Sequence, residues 1–191
     1  CRVFAKAQSM RILLLSHAYN SLTQRLDAEL RALGHTVTVE LDIADAVTEE
    51  AVALFRPDVL VAPYLRRAIP ASVWSRLPCL VVHPGIVGDR GPSALDWAIT
   101  LQESTWGVTV LQAEAEMDAG PIWATQEFPL RMAAKASLYR NEVTQAASQA
   151  VLQALDAWSK GQAPTPLTQW QGERGQLRSL MKKDDGRIDW A

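Results

Sequence analysis

Two short stretches of the chain carry residue types suited to proton transfer. Leu80-Val81-Val82-His83-Pro84-Gly85 delivers one histidine onto a Pro/Gly turn, and Glu116-Met117-Asp118-Ala119-Gly120-Pro121 later returns a carboxylate on another such turn. A histidine near a carboxylate is a common pair for general acid and base work. Acyl transfer needs such a pair, because its tetrahedral intermediate develops an oxyanion while a proton travels from nucleophile to leaving nitrogen. His83 as imidazolium would meet the first need and assist the second. Asp118 would pair with that histidine or order a water that relays the proton, provided the fold brings the two within hydrogen-bond reach.

Other chemistries find less support. No serine lies in a nucleophile elbow, and Cys79 sits inside an apolar run that should be buried, so a serine or cysteine nucleophile is not expected. The three histidines show no paired spacing, and Asp89 and Asp118 have no obvious companions, so no metal is expected. His17 competes with His83 but has no partner motif. The Gly85 to Gly91 loop matches neither the dinucleotide fingerprint nor a phosphate-binding loop.

The elements that must position the pair follow a regular rhythm. Ile12 to Leu15, Thr36 to Leu41, Val59 to Ala62 and Cys79 to Val82 read as strands. Leu22, Leu26, Leu30 and Leu33 recur at helical spacing, with Gly34-His35 as a left-handed cap and its exposed neighbour. Thr48 to Phe55 reads as a second helix and Ile69 to Trp74 as a short third, and Pro92 to Ile99 resumes a helix after the glycine-rich loop. This alternation predicts an α/β protein with an open, mostly parallel Rossmann-like sheet flanked by helices. Trp106 to Gln112 and Ile122 to Pro129 predict an antiparallel extension, and Ala136 to Lys160 a long amphipathic helix over one face. Leu65-Arg66-Arg67 leaves the third strand at the edge where such sheets bind ligands, although surface arginines are often merely solvated.

Length and composition bound the rest. With 191 residues, 48% of them hydrophobic, the chain has material for one well-buried domain. Residues 10–165 are read as that domain, 1–9 as an upstream extension, and 166–191 as a connector toward a further domain. Nineteen Lys and Arg against 21 Asp and Glu leave no basic surface that would favour nucleic acid. No apolar run approaches the roughly 20 residues that span a bilayer, so no membrane partner is expected. Two cysteines without a framework fit a cytoplasmic setting.

The residues also resemble a known family. Val61-Ala62-Pro63-Tyr64-Leu65-Arg66-Arg67, the strand into His83-Pro84, Gly107-Val108-Thr109, Met117-Asp118-Ala119-Gly120-Pro121-Ile122 and Asp185-Gly186-Arg187-Ile188-Asp189-Trp190 stand in the order found in the folate-dependent formyltransferases. The run from His83 to Ile99 is similar, more narrowly, to the branch that forms the amino-terminal half of hydrogenase maturation factors. The resemblance implies a sheet of the formyltransferase type, 10-formyltetrahydrofolate as donor, and His83 and Asp118 as catalytic residues. It also implies folate contacts from Tyr64, Leu65, Arg66 and Arg67 and from the wall Ala115, Glu116 and Met117.

Within that branch, coenzyme A is the implied formyl acceptor, on a route to the carbon monoxide ligand of nickel-iron hydrogenase. A crotonase-like carboxyl half and the hydrogenase maturation machinery are the implied partners. One position departs from the amine-formylating pattern: an asparagine usual two residues before the histidine is here Val81, which donates no side-chain hydrogen bond. Formylation of an amine on a tRNA or sugar nucleotide, and folate binding without turnover, remain the alternative readings.

Overall fold

A computed structural model of the chain describes residues 9–172 and 175–182. The upstream extension, apart from Ser9, and the Asp185 to Trp190 motif lie outside the described residues. The aliphatic runs form strands β1 (Arg11–Ser16), β2 (Thr36–Leu41), β3 (Val59–Tyr64) and β4 (Cys79–His83). β5 (Thr105–Gln112) and β6 (Ile122–Pro129) follow. They assemble in the order β2-β1-β3-β4-β5-β6. β1 to β4 are mutually parallel, whereas β5 runs antiparallel to both β4 and β6. The fold is therefore α/β, an open, mostly parallel sheet with an antiparallel extension and helices on its faces.

Helices α1 (Ser21–Ala32), α2 (Asp45–Phe55), α3 (Ala71–Trp74) and α4 (Ala94–Thr100) connect the strands, and α5 (Lys135–Leu138) and α6 (Thr144–Ser159) follow the hairpin. Successive strand residues point to opposite faces, so each apolar run feeds two cores. On one face Ile12, Leu14, Val61, Leu80, Val82 and Val110 pack with Leu22, Leu26 and Leu30 of α1 and Ala147, Val151 and Leu155 of α6. On the other, Leu13, Leu15, Leu60, Ala62 and Cys79 meet Val73 of α3 and Val52 and Phe55 of α2. His83 and Val81 belong to this second face.

Three details differ from the sequence reading. The helix expected over Ala136 to Lys160 is interrupted by a π-helical turn at Tyr139–Val143. There the Thr144 hydroxyl donates to the Tyr139 carbonyl (2.7 Å) and Asn20 Nδ2 donates to the Tyr139 hydroxyl (3.0 Å), side-chain bonds that accompany the widened turn. α2 starts at Asp45 rather than Thr48. His35 is not an exposed cap neighbour: half-buried, it accepts from the Met10 backbone N–H through Nδ1 (3.2 Å), and burial lowers its pKa. Past α6, Thr165 exchanges two 2.8 Å backbone bonds with Ile122, so the chain is tied to β6 before it turns toward the end of β4.

Candidate active site

The turn that carries His83 is fixed by side chains of β5. Trp106, buried in the core, donates its indole N–H to the Pro84 carbonyl (2.9 Å), and the Thr109 hydroxyl donates to the Gly85 carbonyl (2.8 Å). His83 itself is only 5% exposed. Its Nε2 lies 2.9 Å from Asp89 Oδ2. Its Nδ1 lies 3.5 Å from Asp118 Oδ2. A carboxylate only accepts, so the contact with Asp89 is a hydrogen bond when Nε2 carries a proton.

Asp118 reaches this position by an indirect path. β5 leaves the sheet beside the opposite end of β4, where the Ala113 N–H donates to the Cys79 carbonyl (2.7 Å). The chain then runs back along β4, a strand about 13 Å long, and sets Asp118 beside His83. Gly120 permits the close pass, since a Cβ there would lie 1.9 Å from the Gln112 carbonyl oxygen. Asp118 adopts the left-handed conformation (φ 56°), which Asp tolerates better than most residues, and its carboxylate accepts from the Gly91 N–H at 3.3 Å. The expected pair is thus brought together, though at a separation longer than a hydrogen bond.

The remaining expected site residues fall into two exposed or half-exposed segments. Tyr64 ends β3 and Leu65 packs against the second core, both half-buried; the Arg66 Nε donates to the Tyr64 hydroxyl at 2.9 Å. Arg67 is turned toward α2, where it donates to the Ile43 carbonyl (2.9 Å) and pairs with Asp45. Ala115, Glu116 and Met117 are exposed, and Glu116 pairs with Arg90 of the glycine-rich loop. Among the described residues no group of three or more His, Cys, Asp and Glu gathers as a metal site. None of the described helices is long and apolar enough to cross a membrane.

Two further side chains join the pair that sequence reasoning did not. Asp89, whose side chain is 0% exposed, bridges His83 on one oxygen and faces Arg178 Nε at 3.6 Å on the other. Its place between Gly85 and Gly91 was the available signal, since glycines crowd where backbone passes close to a site. Arg178 is separated too far in sequence to carry any signal. Nearby, at the ends of β1 to β3, a second polar cluster holds Asp42, 5% exposed with Oδ2 unpartnered, and His17 with Nδ1 unpartnered. Burial pushes the Asp42 carboxyl up in pKa, and Arg67 and His17 pull it partly back. His17 stacks edge-on to Tyr64 at 5.9 Å.

An open groove of about 470 Å3, lined by Trp74, Trp123 and Trp158, carries no acid/base pair. A second, of about 410 Å3, is lined by Ile86 of the glycine-rich loop and by Gly175 and Arg178 of the later segment that runs beside it.

The chain is similar to known proteins over most of its length. The formyl transferase family model matches residues 19–155. The hydrogenase maturation factor HoxX of Bradyrhizobium diazoefficiens is 58% identical over 181 residues, 95% of this chain and 32% of that protein. A methionyl-tRNA formyltransferase of Roseiflexus sp. is 34% identical over 83% of this chain and 49% of its own length. The crystal structure of HypX from Aquifex aeolicus in complex with tetrahydrofolic acid superposes with a TM-score of 0.89 at 47% identity, covering 96% of this chain and 32% of that one. The chain thus spans about a third of the length of the maturation factors it matches. With the histidine and aspartate convergent at the end of β4 and the family pattern running through most of its length, the chain belongs to the formyl transferase family.

Proposed function

We propose that the chain binds 10-formyltetrahydrofolate and passes its formyl group to the thiol of coenzyme A, as the donor-binding part of a hydrogenase maturation factor. The observation that carries this reading is the meeting of His83 Nδ1 and Asp118 Oδ2 with Val81, not asparagine, two residues earlier on β4. The high identity to HoxX and the tetrahydrofolate complex of HypX support the donor and the branch. Tyr64 to Arg67 and Ala115 to Met117 are the segments proposed to hold the folate. Residues 10–165 would form the transfer unit, and 166–191 would lead toward the crotonase-like half on the route to the carbon monoxide ligand.

The proposed step is a thiol attack on the formyl carbon. The carbon–sulfur bond forms, the bond from the formyl carbon to N10 of the folate breaks, and the proton given up by the thiol ends on N10. His83, as imidazolium with Nε2–H on Asp89, would donate through Nδ1–H to the formyl oxygen as charge develops, and Asp118 would relay the proton. Loss of one oxyanion donor at the Val81 position costs a few kcal/mol in transition-state stabilisation. A thiolate acceptor leaves no ammonium to be deprotonated, which suits a site with fewer polar groups.

The deciding experiment measures tetrahydrofolate release from 10-formyltetrahydrofolate with and without coenzyme A. Release that depends on coenzyme A and falls about 10²- to 10⁴-fold in His83→Ala is expected. Release driven equally by amines would favour the amine-transfer reading, to which the methionyl-tRNA formyltransferase relative points. Folate binding without release in any arm would refute turnover by this chain.

A further inference from the structure

Outside the expected pair, the most constrained part of the molecule is the surrounding of Asp89. Its carboxylate is wholly buried, with one oxygen on His83 Nε2 and the other facing the Arg178 guanidinium, itself 15% exposed and set over the Trp97 ring. A buried carboxylate persists only where hydrogen bonds and a counter-charge replace its hydration. His83, six residues away, supplies the hydrogen bond, and Arg178, remote in sequence, supplies the counter-charge at 3.6 Å, Asp89 Oδ1 and Arg178 Nε themselves making no hydrogen bond.

Arg178 is delivered by backbone pairing. The Arg90 N–H donates to the Gln176 carbonyl (3.2 Å), the Arg178 N–H donates to the Arg90 carbonyl (2.9 Å), and the Gly175 N–H donates to the Val87 carbonyl (2.8 Å). Residues 175–178 therefore lie as a strap along the loop that follows His83. Three glycines clear the space. A Cβ on Gly85 would lie 2.5 Å from His83 Nε2 and 2.6 Å from Asp89 Oδ2, and one on Gly175 would lie 2.5 Å from the Asp89 backbone. A Cβ on Gly91 would lie 2.2 Å from the Arg178 carbonyl oxygen. Strap, loop and ring thus pack with no room for a Cβ at these three positions, and Asp89 lies enclosed between His83 and Arg178.

We propose that Asp89 is a positioning residue for His83 and that the strap residue Arg178 holds Asp89 to that task. The Nε2–H bond to Asp89 fixes the ring orientation and reserves Nδ1 for Asp118 and the reacting group. The logic is that of a buried aspartate that sets the tautomer of a catalytic histidine, where replacement by asparagine leaves the geometry but costs about 10⁴-fold in rate in the serine-protease case. This proposal rests on the reading of His83 as the acid/base of formyl transfer.

The test uses the 191-residue chain labelled with nitrogen-15 in histidine, with the His83 ring signals identified by their loss in His83→Ala. In the neutral ring of the parent chain Nε2 is expected to carry the proton. In Asp89→Asn, whose amide presents a donor, the proton is expected to move to Nδ1, and kcat for tetrahydrofolate release to fall roughly 10²-fold or more with KM for the folate within about threefold. Arg178→Met leaves Asp89 in place, so faster solvent exchange of the Nε2 proton and a smaller fall in kcat are expected. If Asp89→Asn fails to fold, the exchange rate in Arg178→Met decides alone.

Ring-nitrogen spectra and exchange that match the parent in the folded variants overturn the proposal. So does an altered spectrum with kcat within about threefold of the parent. If the parent chain releases no tetrahydrofolate, the transfer reading fails, and the spectra still decide whether Asp89 positions the ring.

Discussion

Replacing Gly85 by alanine tests the crowding around the site with a single methyl group. The added Cβ would stand 2.5 Å from His83 Nε2, 2.6 Å from Asp89 Oδ2 and 2.7 Å from His83 Cδ2. Non-bonded heavy atoms settle at about 3.5 Å, so the ring must retreat by about 1 Å from a place where it is already 5% exposed. A displacement of that size in a catalytic group costs roughly 10²-fold in rate, or about 2.7 kcal/mol in the barrier. Overpacking adds about 1–3 kcal/mol of lost stability, which lowers Tm by about 2–4 °C per kcal/mol in a chain of this size.

Initial rates of tetrahydrofolate release and thermal unfolding of the same preparation separate the two effects. Gly161→Ala is the control, because Gly161 has open space around it but a φ of +71°. It should lose about 1–2 kcal/mol of stability through strain alone and keep its rate. A Gly85→Ala chain that folds and turns over within threefold of the parent would refute the argument that the site has no spare volume.

Two further outcomes follow from burial. The folded chain binds the Asp42 proton more tightly than the unfolded chain does, so stability is lost as pH rises from about 4 through the raised folded value. Asp42→Asn removes that penalty and should raise Tm at pH 7, the gain shrinking to nothing below pH 4; a lower Tm at pH 7, or an equal gain at both pH values, would contradict the sign. The Cys79 thiol is pushed up to about 12 by burial. Iodoacetamide at pH 8 should therefore modify Cys79, located by peptide mass spectrometry, only as fast as the chain unfolds, and labelling as rapid as in denaturant would show the thiol to be accessible.

Much of the scaffold was legible in the chain because periodicity reports burial directly. Thr36 to Leu41 alternates and forms β2 with those bounds, and the continuous apolar run of β1 reflects a strand covered on both faces. Ends of elements were less legible. The π turn at Tyr139–Val143 is accompanied by a bond from Asn20, a residue of the first loop, which no local pattern around Tyr139 reveals. His35 looked exposed beside its glycine and is instead half-buried against Met10.

The site divides in the same way. Residue type and spacing were enough to put His83 at the exit of a buried strand and Asp118 on a glycine turn, because strand ends and turns are local properties of the chain. No local pattern foretold that the loop after β5 doubles back along β4 to bring Asp118 Oδ2 within 3.5 Å of His83 Nδ1. The fold also places Arg178 opposite a buried Asp89, and Asp89 on the His83 nitrogen that faces away from Asp118. The physical reason is that side-chain type and short-range pattern are written residue by residue, whereas the partner of a buried charge is chosen by packing among segments far apart in the chain.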